Sequence, residues 1–453
     1  MDKIQLLQSR KEALLENSKA VRADIDAIID ERSFVELSAF SFSNKDFYGE
    51  NAEGEGVVTG FATVDGFPFY IVAQNFGVAA GGISKANCDK ICKCLDQAEK
   101  NATPVIYLLN TNGVQIKDGV TVLEGMSKLL LKATQLKGVV PQYAVVNGNV
   151  FGSVAMLAAT ADFTFFKNDS VLAVNSPMVL SAKSGKNLKA EEVGGAKALN
   201  KTNIPAFEVQ SLAEVRERIA QLNSLLLVAE TDADEAQMND STPALNASVN
   251  AQNLMEIFEA PVEIGAGYAP EVKTVLGRMG GVAVAAVIFE GENGVHLSAS
   301  KMKKIKDFAE LACCYQLPFI TFTDTVGICP CMEVNNSSVL KEIAEYLSML
   351  DAIDTAKIAV VYKKAVGLGY SLFAAKSVGF DYTCAFANAK IALFDSAQGA
   401  EIELGNNQAD TVSQYADENS DPVNAAKDGY IDAIIEPQFV KQHLIAALQM
   451  FTK

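Results

Sequence analysis

The chain has 453 residues, 49% of them hydrophobic and 21% charged, with a formal net charge of −17. That length exceeds one ordinary hydrophobic core and points to two domains, while the apolar content excludes wholesale disorder. The acidic balance argues against a nucleic-acid partner, which would need a basic face, and no uninterrupted apolar run reaches the roughly 18 residues of a membrane span.

In chain order, residues 1–33 read as a charged amphipathic helix without the apolar core of a signal peptide, so a cytosolic setting is expected. Residues 57–74 (VVTGFATVDGFPFYIVAQ) form a hairpin-like pair. Ser84 to Gly113 then reads as a helix, a proline, a short apolar strand and a glycine turn. Residues 147–177 read as a glycine-punctuated turn, a small-residue helix and two short strands. A polar, acidic stretch at 230–253 follows, and residues 236–258 are expected to link domains spanning 1–235 and 259–453.

The order then repeats. Residues 274–289 pair like 57–74, and Ser298 to Gly327 repeats Ser84 to Gly113 without a gap. Pro318 follows Pro104, and Gly327 follows Gly113, by the same 214 residues (318 minus 104, 327 minus 113). The stretch from Pro141 resembles that from Lys357 with four residues more in the second copy, which matches Asp162 to Asp381. Strand, turn and helix units repeated in this way predict an α/β fold of two tandem domains related by internal duplication.

In such folds ligands sit beyond the carboxyl ends of the strands. Four glycine turns are expected there: Asn112-Gly113-Val114, Gly152-Ser153, Val326-Gly327-Ile328 and Gly367-Leu368-Gly369. Helix N-termini and close backbone approach make such turns candidate oxyanion holes, built from amides rather than reactive side chains. Rival chemistries fit poorly. Leu372 stands at the third glycine of a dinucleotide fingerprint, and Ser153 as a nucleophile would need a base from only two histidines, His296 and His443. Cys88, Cys92 and Cys94, and Cys329 and Cys331 flanking Pro330, lack zinc-ribbon spacing, so no metal is expected.

Six stretches in order (EGEGVVTGFATVDGFPFYIVAQNF, GVVPQYAVVNGNVFGSVAMLAATADFTFF, AEEVGGAKA, GYAPEVKTVLGRMGG, LPFITFTDTVG, NAAKDGYIDAIIEP) resemble the carboxyltransferase subunits of biotin-dependent acyl-CoA carboxylases and related decarboxylases. The resemblance spans residues 8 to 448. It implies two crotonase-like domains, each a ββα superhelix, and a homo-oligomer, usually a hexamer. It also implies an acyl-CoA on the first domain and biotin arriving at the second on a separate biotin carboxyl carrier protein. A biotin carboxylase or a membrane decarboxylase subunit would be the further partner. Gly113, Val114, Gly152 and Ser153 would then serve the thioester oxygen, and Gly327, Ile328, Leu368 and Gly369 would serve biotin.

Lys85, Lys117 and Lys183, in loops beside the first-half turns, are the candidate CoA phosphate partners, and Ser371 marks the pocket wall. The sequence departs from the family at all four turns: Asn112-Gly113-Val114 replaces Gly-Gly-Ala, Phe151-Gly152-Ser153 replaces Ala-Gly-Gly, Val326-Gly327-Ile328 lacks the usual proline, and Leu368 replaces a glycine. None of these changes introduces a proline, so the amide donors persist. A non-catalytic scaffold that keeps the fold and partner surfaces is the second reading.

Overall fold

The tight Asp65-Gly66 turn, with φ of 51° and 80°, sets up the first sheet. Two positive φ values in succession suit a two-residue hairpin, and β2 (Val57–Val64) and β3 (Phe67–Gln74) pair antiparallel across it. The structure is a computed structural model that describes residues 2–42, 54–228 and 240–452. It divides into two units, residues 1–223 and 224–453.

In the first unit the N-terminal segment is two helices rather than one, α1 (Lys3–Asn17) and α2 (Lys19–Asp26), broken at Ser18. After the short β1 (Val35–Leu37) and the hairpin, α3 (Lys85–Lys100) begins at Ser84, whose side chain accepts the Asn87 N–H at 3.1 Å. Then come β4 (Val105–Thr111), α4 (Val120–Leu136), β5 (Gln142–Phe151) and α5 (Ser153–Thr160). The strands β6 (Phe163–Lys167), β7 (Val171–Ala173) and β8 (Pro205–Val209) complete the sheet. Among the described residues the strand order is β1-β2-β3-β4-β5-β6-β8, with β7 beside β5, and every pair from β3 onward is parallel.

The core lies between this sheet and α3 and α4, where Ile91, Leu95, Met126 and Leu129 meet Val105, Tyr107 and Leu109. Burying each large side chain stabilises the fold by about 1.5–3 kcal/mol. Cys88, Cys92 and Cys94 belong to this core, and burial pushes the Cys88 and Cys94 thiols up to about 12.

The second unit repeats the plan. Its strands are β9 (Glu259–Ile264), β10 (Val272–Met279), β11 (Val282–Phe289), β12 (Val295–Leu297), β13 (Phe319–Ile328), β14 (Lys357–Val366), β15 (Tyr382–Phe386), β16 (Lys390–Ala392) and β17 (Ala433–Ile435). They run β17-β15-β14-β13-β11-β10-β9, with β12 beside β13 and β16 beside β14. The helices that matter to the site are α6 (Ala299–Cys314), α7 (Val339–Ala352) and α8 (Leu368–Phe373). The duplication reaches single hydrogen bonds. Ser298 caps α6 as Ser84 caps α3, its side chain accepting the Lys301 N–H. The Asp162 carboxylate accepts the Gln142 N–H and the Asp381 carboxylate accepts the Lys357 N–H, both at 2.8 Å.

Three expectations change. The glycine-punctuated turn expected to open the stretch 147–177 is strand as far as Phe151, with the turn itself at Gly152: β5 leaves β6 after Val146 and joins β7 from Asn149. Gly148 takes a φ of 139° at this switch, where a methyl group would stand 2.6 Å from Asn110 Oδ1. Likewise β13 continues through Gly327 to Ile328, because β12 pairs with it there. Of the expected linker, residues 236–239 lie outside the described residues. Residues 240–258 hold helices Ala244–Ala247 and Ala251–Met255, with Leu245, Leu254 and Phe258 buried. The four extra residues of the second copy fall after α8, around a 3-10 turn at Lys376–Val378.

Candidate active site

Both units end their central strands in the same local construction. Thr111, the last residue of β4, is fully buried, and its Oγ1 accepts the Gly113 N–H at 3.0 Å. Thr325 in β13 does the same for the Gly327 N–H at 3.1 Å. Each glycine has the left-handed φ this path requires, 115° at Gly113 and 81° at Gly327. Their amides are therefore committed to the fold, and the next residue carries the donor that faces outward.

That next residue is held by a short parallel pairing. In the first unit the Ile83 N–H donates to Gly113 O at 3.0 Å, and the Gln115 N–H donates to Ile83 O at 2.8 Å. Consecutive amides along an extended chain point to opposite sides, so the Val114 N–H faces away from Ile83. In the second unit Leu297 pairs with Ile328, and the Cys329 N–H donates to Leu297 O at 3.2 Å, which turns the Ile328 N–H the same way.

A helix N-terminus supplies the second donor. Gly152 and Gly367 have φ of 72° and 55° and turn the chain from strand into helix. Their own N–H groups are bound, Gly152 to Ala173 O at 3.2 Å and Gly367 to Ala392 O at 2.9 Å. Ser153 and Leu368 are the first residues of α5 and α8, where the N–H has no acceptor within the helix. The two turns of each unit are close. A methyl group on Gly113 would lie 3.9 Å from Phe151 O, and one on Gly327 would lie 3.1 Å from Val366 O, 3.8 Å from Leu368 N and 3.9 Å from Gly369 N.

Gly369 has a second reason to be glycine: a methyl group there would meet Thr325 Cγ2 at 2.5 Å, so its absence lets α8 close onto β13. Ser371 lies one turn further along α8 and is exposed, as is Leu368.

In the first unit the turn opens onto a cleft of about 320 Å³, lined by Ala79, Gly82, Asn112, Gly113, Val114 and Lys117 among others. Its far wall is a left-handed turn, with φ of 48° at Ala79, 52° at Ala80 and 67° at Gly81. The Asn112 N–H donates to Ala80 O at 3.1 Å, which ties this strained segment to the Asn112-Gly113 turn. Of the three candidate lysines, Lys117 lines the cleft and is exposed. Lys85 is at the start of α3, paired with Asp89 at 2.5 Å, and Lys183 is exposed on helix Pro177–Ser184.

Neither histidine ring is hydrogen-bonded to these turns among the described residues, although His296 directly precedes Leu297, the residue paired with Ile328. His443 Nδ1 lies 3.0 Å from the Tyr382 hydroxyl, and burial lowers its pKa. His296 is exposed on β12, and the helix cap after it is Ser298.

Sequence reasoning missed Thr111 and Thr325, although both stand two residues before a glycine that was noted. It also missed Asp324, buried in β13 just ahead of Thr325, with Lys363 Nζ 3.6 Å from its carboxylate. Burial raises the Asp324 pKa, opposed by the two neighbouring lysines, Lys363 and Lys364.

Comparison with known proteins identifies the family and the fold. Residues 14–453 match the family described as Carboxyl transferase domain. The chain is 29% identical to the propionyl-CoA carboxylase beta chain of Cereibacter sphaeroides, over 97% of this chain and 92% of that one. It is 26% identical to the methylmalonyl-CoA decarboxylase subunit alpha of Veillonella parvula, over 95% and 89%. Among solved structures, the transcarboxylase 12S crystal structure with methylmalonyl-coenzyme A and methylmalonic acid bound superposes with a TM-score of 0.88 at 22% identity, covering 99% of this chain and 95% of that one. Among the described residues no helix is long and apolar enough to cross a membrane. The fold is thus the crotonase-like fold of that structure, and the chain belongs to the carboxyl transferase family of enzymes.

Proposed function

We propose that the protein moves a carboxyl group between an acyl-CoA thioester and biotin carried on a separate protein, with each unit holding one developing oxyanion by backbone amides. The observation that carries this reading is the duplicated pair of outward donors. In the first unit Val114 follows Gly113 and Ser153 follows Gly152, with Phe151 O 3.9 Å from a methyl placed on Gly113; in the second Ile328 follows Gly327, where a methyl would lie 3.8 Å from Leu368 N and 3.9 Å from Gly369 N. Carboxybiotin supplies the carboxyl group and, after giving it up, a basic ureido nitrogen.

The chain's own part is electrostatic. When the α-proton leaves the acyl-CoA, charge gathers on the thioester oxygen, and the Val114 and Ser153 amides meet it without moving. The Ile328, Leu368 and Gly369 amides do the same for the ureido oxygen. Removing one donor of this kind costs about 3–4 kcal/mol of barrier. The glycines at 113, 152, 327 and 367 shape the path, and the buried threonines fix it. No protein base is required in this reading. Lys117, and with it Lys85 and Lys183, offers positive charge to the CoA phosphates of an otherwise acidic protein.

Relatives in carboxylases, in a decarboxylase and in a transcarboxylase described as a hexamer support a homo-oligomer, a hexamer by that precedent. Its partners would be a biotin carrier protein and either a biotin carboxylase or a membrane decarboxylase subunit. The test is transfer from a malonyl-type CoA, such as methylmalonyl-CoA, to free biotin or a biotinyl carrier. Biotin-dependent conversion to the decarboxylated thioester is expected. A folded, oligomeric protein inactive both with methylmalonyl- and glutaconyl-CoA as donors to a biotinyl carrier and with acetyl- and propionyl-CoA as acceptors from a carboxybiotinyl carrier would return the reading to a scaffold.

A further inference from the structure

Directly after Ile328 the chain reads Cys329-Pro330-Cys331. The Cys331 N–H donates to Cys329 O at 2.8 Å, a three-residue turn around the proline. A bond spanning three residues is the γ-turn pattern, and the pyrrolidine ring fixes the φ it needs. Such a turn brings the flanking Cα atoms into the range a disulfide spans. The two Sγ atoms are already 2.9 Å apart, as free thiols, and both residues are half-buried.

The Cys329 thiol is itself pushed up, chiefly by its hydrogen bond to Cys331, so geometry rather than acidity sets this pair apart from the other thiols. Cys88, Cys92, Cys94 and Cys384 are buried, and burial pushes Cys88, Cys94 and Cys384 up to about 12. Cys313 and Cys314 are neighbours within α6, and the Cys313 thiol is 3.3 Å from Ala352 O, to which it donates.

We propose that Cys329 and Cys331 are a redox modification site that reacts with a small-molecule disulfide, such as oxidised glutathione, and closes to an internal disulfide. The Cys329 thiolate, its proton given to solvent, attacks one sulfur of the small disulfide. That S–S bond breaks, a thiolate leaves and a mixed disulfide remains on Cys329. The Cys331 thiolate then attacks the Cys329 sulfur and expels the second small thiolate. The protein loses two electrons and two protons, and the small disulfide becomes two thiols.

Closure acts on the site through one bond of chain. Cys329 is the residue whose N–H holds Leu297 O and thereby aims the Ile328 amide. Drawing the sulfurs to bonding distance pulls on that residue. The oxidised form therefore transfers more slowly, a consequence that rests on the function proposed above, whereas bond formation does not.

The full-length protein, native and oligomeric, is incubated with oxidised glutathione, alkylated, digested and mapped by mass spectrometry, with a dithiothreitol-reduced sample alongside. The expected result is a segment containing Cys329 and Cys331 that has lost two hydrogens and takes up alkylating agent only after reduction. Cys331→Ser should stop at a glutathione adduct on Cys329. Full alkylation of both residues after treatment, or a bond joining Cys313 to Cys314 instead, overturns the site. Transfer should fall severalfold on oxidation and return on reduction, with Cys331→Ser matching the reduced wild-type rate before any treatment. A closed bond with an unchanged rate overturns the coupling to Ile328, and an inactive wild type that still closes the bond faults the assigned function alone.

Discussion

Laid over each other, the two units show which features a fold needs and which a ligand selects. The capping serines at 84 and 298 and the aspartates at 162 and 381 make the same bonds in both copies, and the threonines at 111 and 325 each accept from the glycine two residues on. The residues presenting the donors differ: Val114 against Ile328, Ser153 against Leu368. Beneath the turns Asn110 in one unit answers to Asp324 in the other. Two copies of one backbone device have thus kept their geometry while changing what lines them, as expected if each serves a different oxygen.

The sharpest contrast is between two buried lysines at matching positions, Lys90 and Lys304, each pushed down to about 8 chiefly by burial. Lys90 Nζ donates to Gly54 O at 2.9 Å and Val57 O at 2.6 Å, while Lys304 Nζ has no hydrogen-bond partner among the described residues. Protonating such a lysine costs the folded state up to about 3 kcal/mol. Because the folded pKa lies below the unfolded one, the penalty is complete below pH 8 and disappears above pH 10.5, so stability rises across that interval. Lys304→Met should therefore raise stability at pH 7 by as much as about 3 kcal/mol and flatten its pH dependence between those limits. Lys90→Met leaves two carbonyls unpaired, each worth about 1–3 kcal/mol, and should give no gain or a net loss. Denaturant unfolding from pH 7 to 10.5 measures both, and equal responses would break the contrast.

The threonine locks come next. Thr325 Oγ1 accepts from Gly327 and donates to Val295 O at 2.7 Å, whereas Thr111 Oγ1 accepts from Gly113 and returns a longer 3.3 Å bond to Gly113 O. Thr325→Val should lose about 2 kcal/mol and Thr111→Val about 1 kcal/mol, read as midpoint shifts at constant m-value. The smallest effect is expected at Lys117, which is exposed and has no side-chain partner among the described residues. Lys117→Ala should leave stability within about 0.5 kcal/mol while weakening CoA thioester binding severalfold at low salt and less at high salt.

Much of this plan is legible in the sequence because it rests on local signals. The 214-residue offset, the helix-proline-strand order and the glycine turns follow from periodicity and backbone preference. What escaped depends on distant partners. Asn147-Gly148-Asn149 has turn composition, yet β7 draws β5 through it by pairing Val171 with Asn149, 22 residues further along the chain (171 minus 149). The Thr-x-Gly spacing repeated at Thr111 and Thr325 is visible in the sequence, but that the hydroxyl is buried and accepts the glycine N–H is not. Likewise Asp324 reads as a solvated end-of-strand acid until the sheet closes over it.

The central claim is that each unit contributes its own amide donors to a different oxyanion. Ser153→Pro and Leu368→Pro delete one N–H apiece at first helical positions, which accept proline, and the matching alanine variants control for the side chains. With wild-type oligomeric state and melting behaviour verified, transfer from methylmalonyl-CoA to a biotinyl carrier is measured together with thioester affinity. Turnover should fall about a hundredfold or more in both proline variants and stay near wild type in both alanine variants, with thioester affinity unchanged in Leu368→Pro. Wild-type transfer rates in both folded proline variants would contradict the claim.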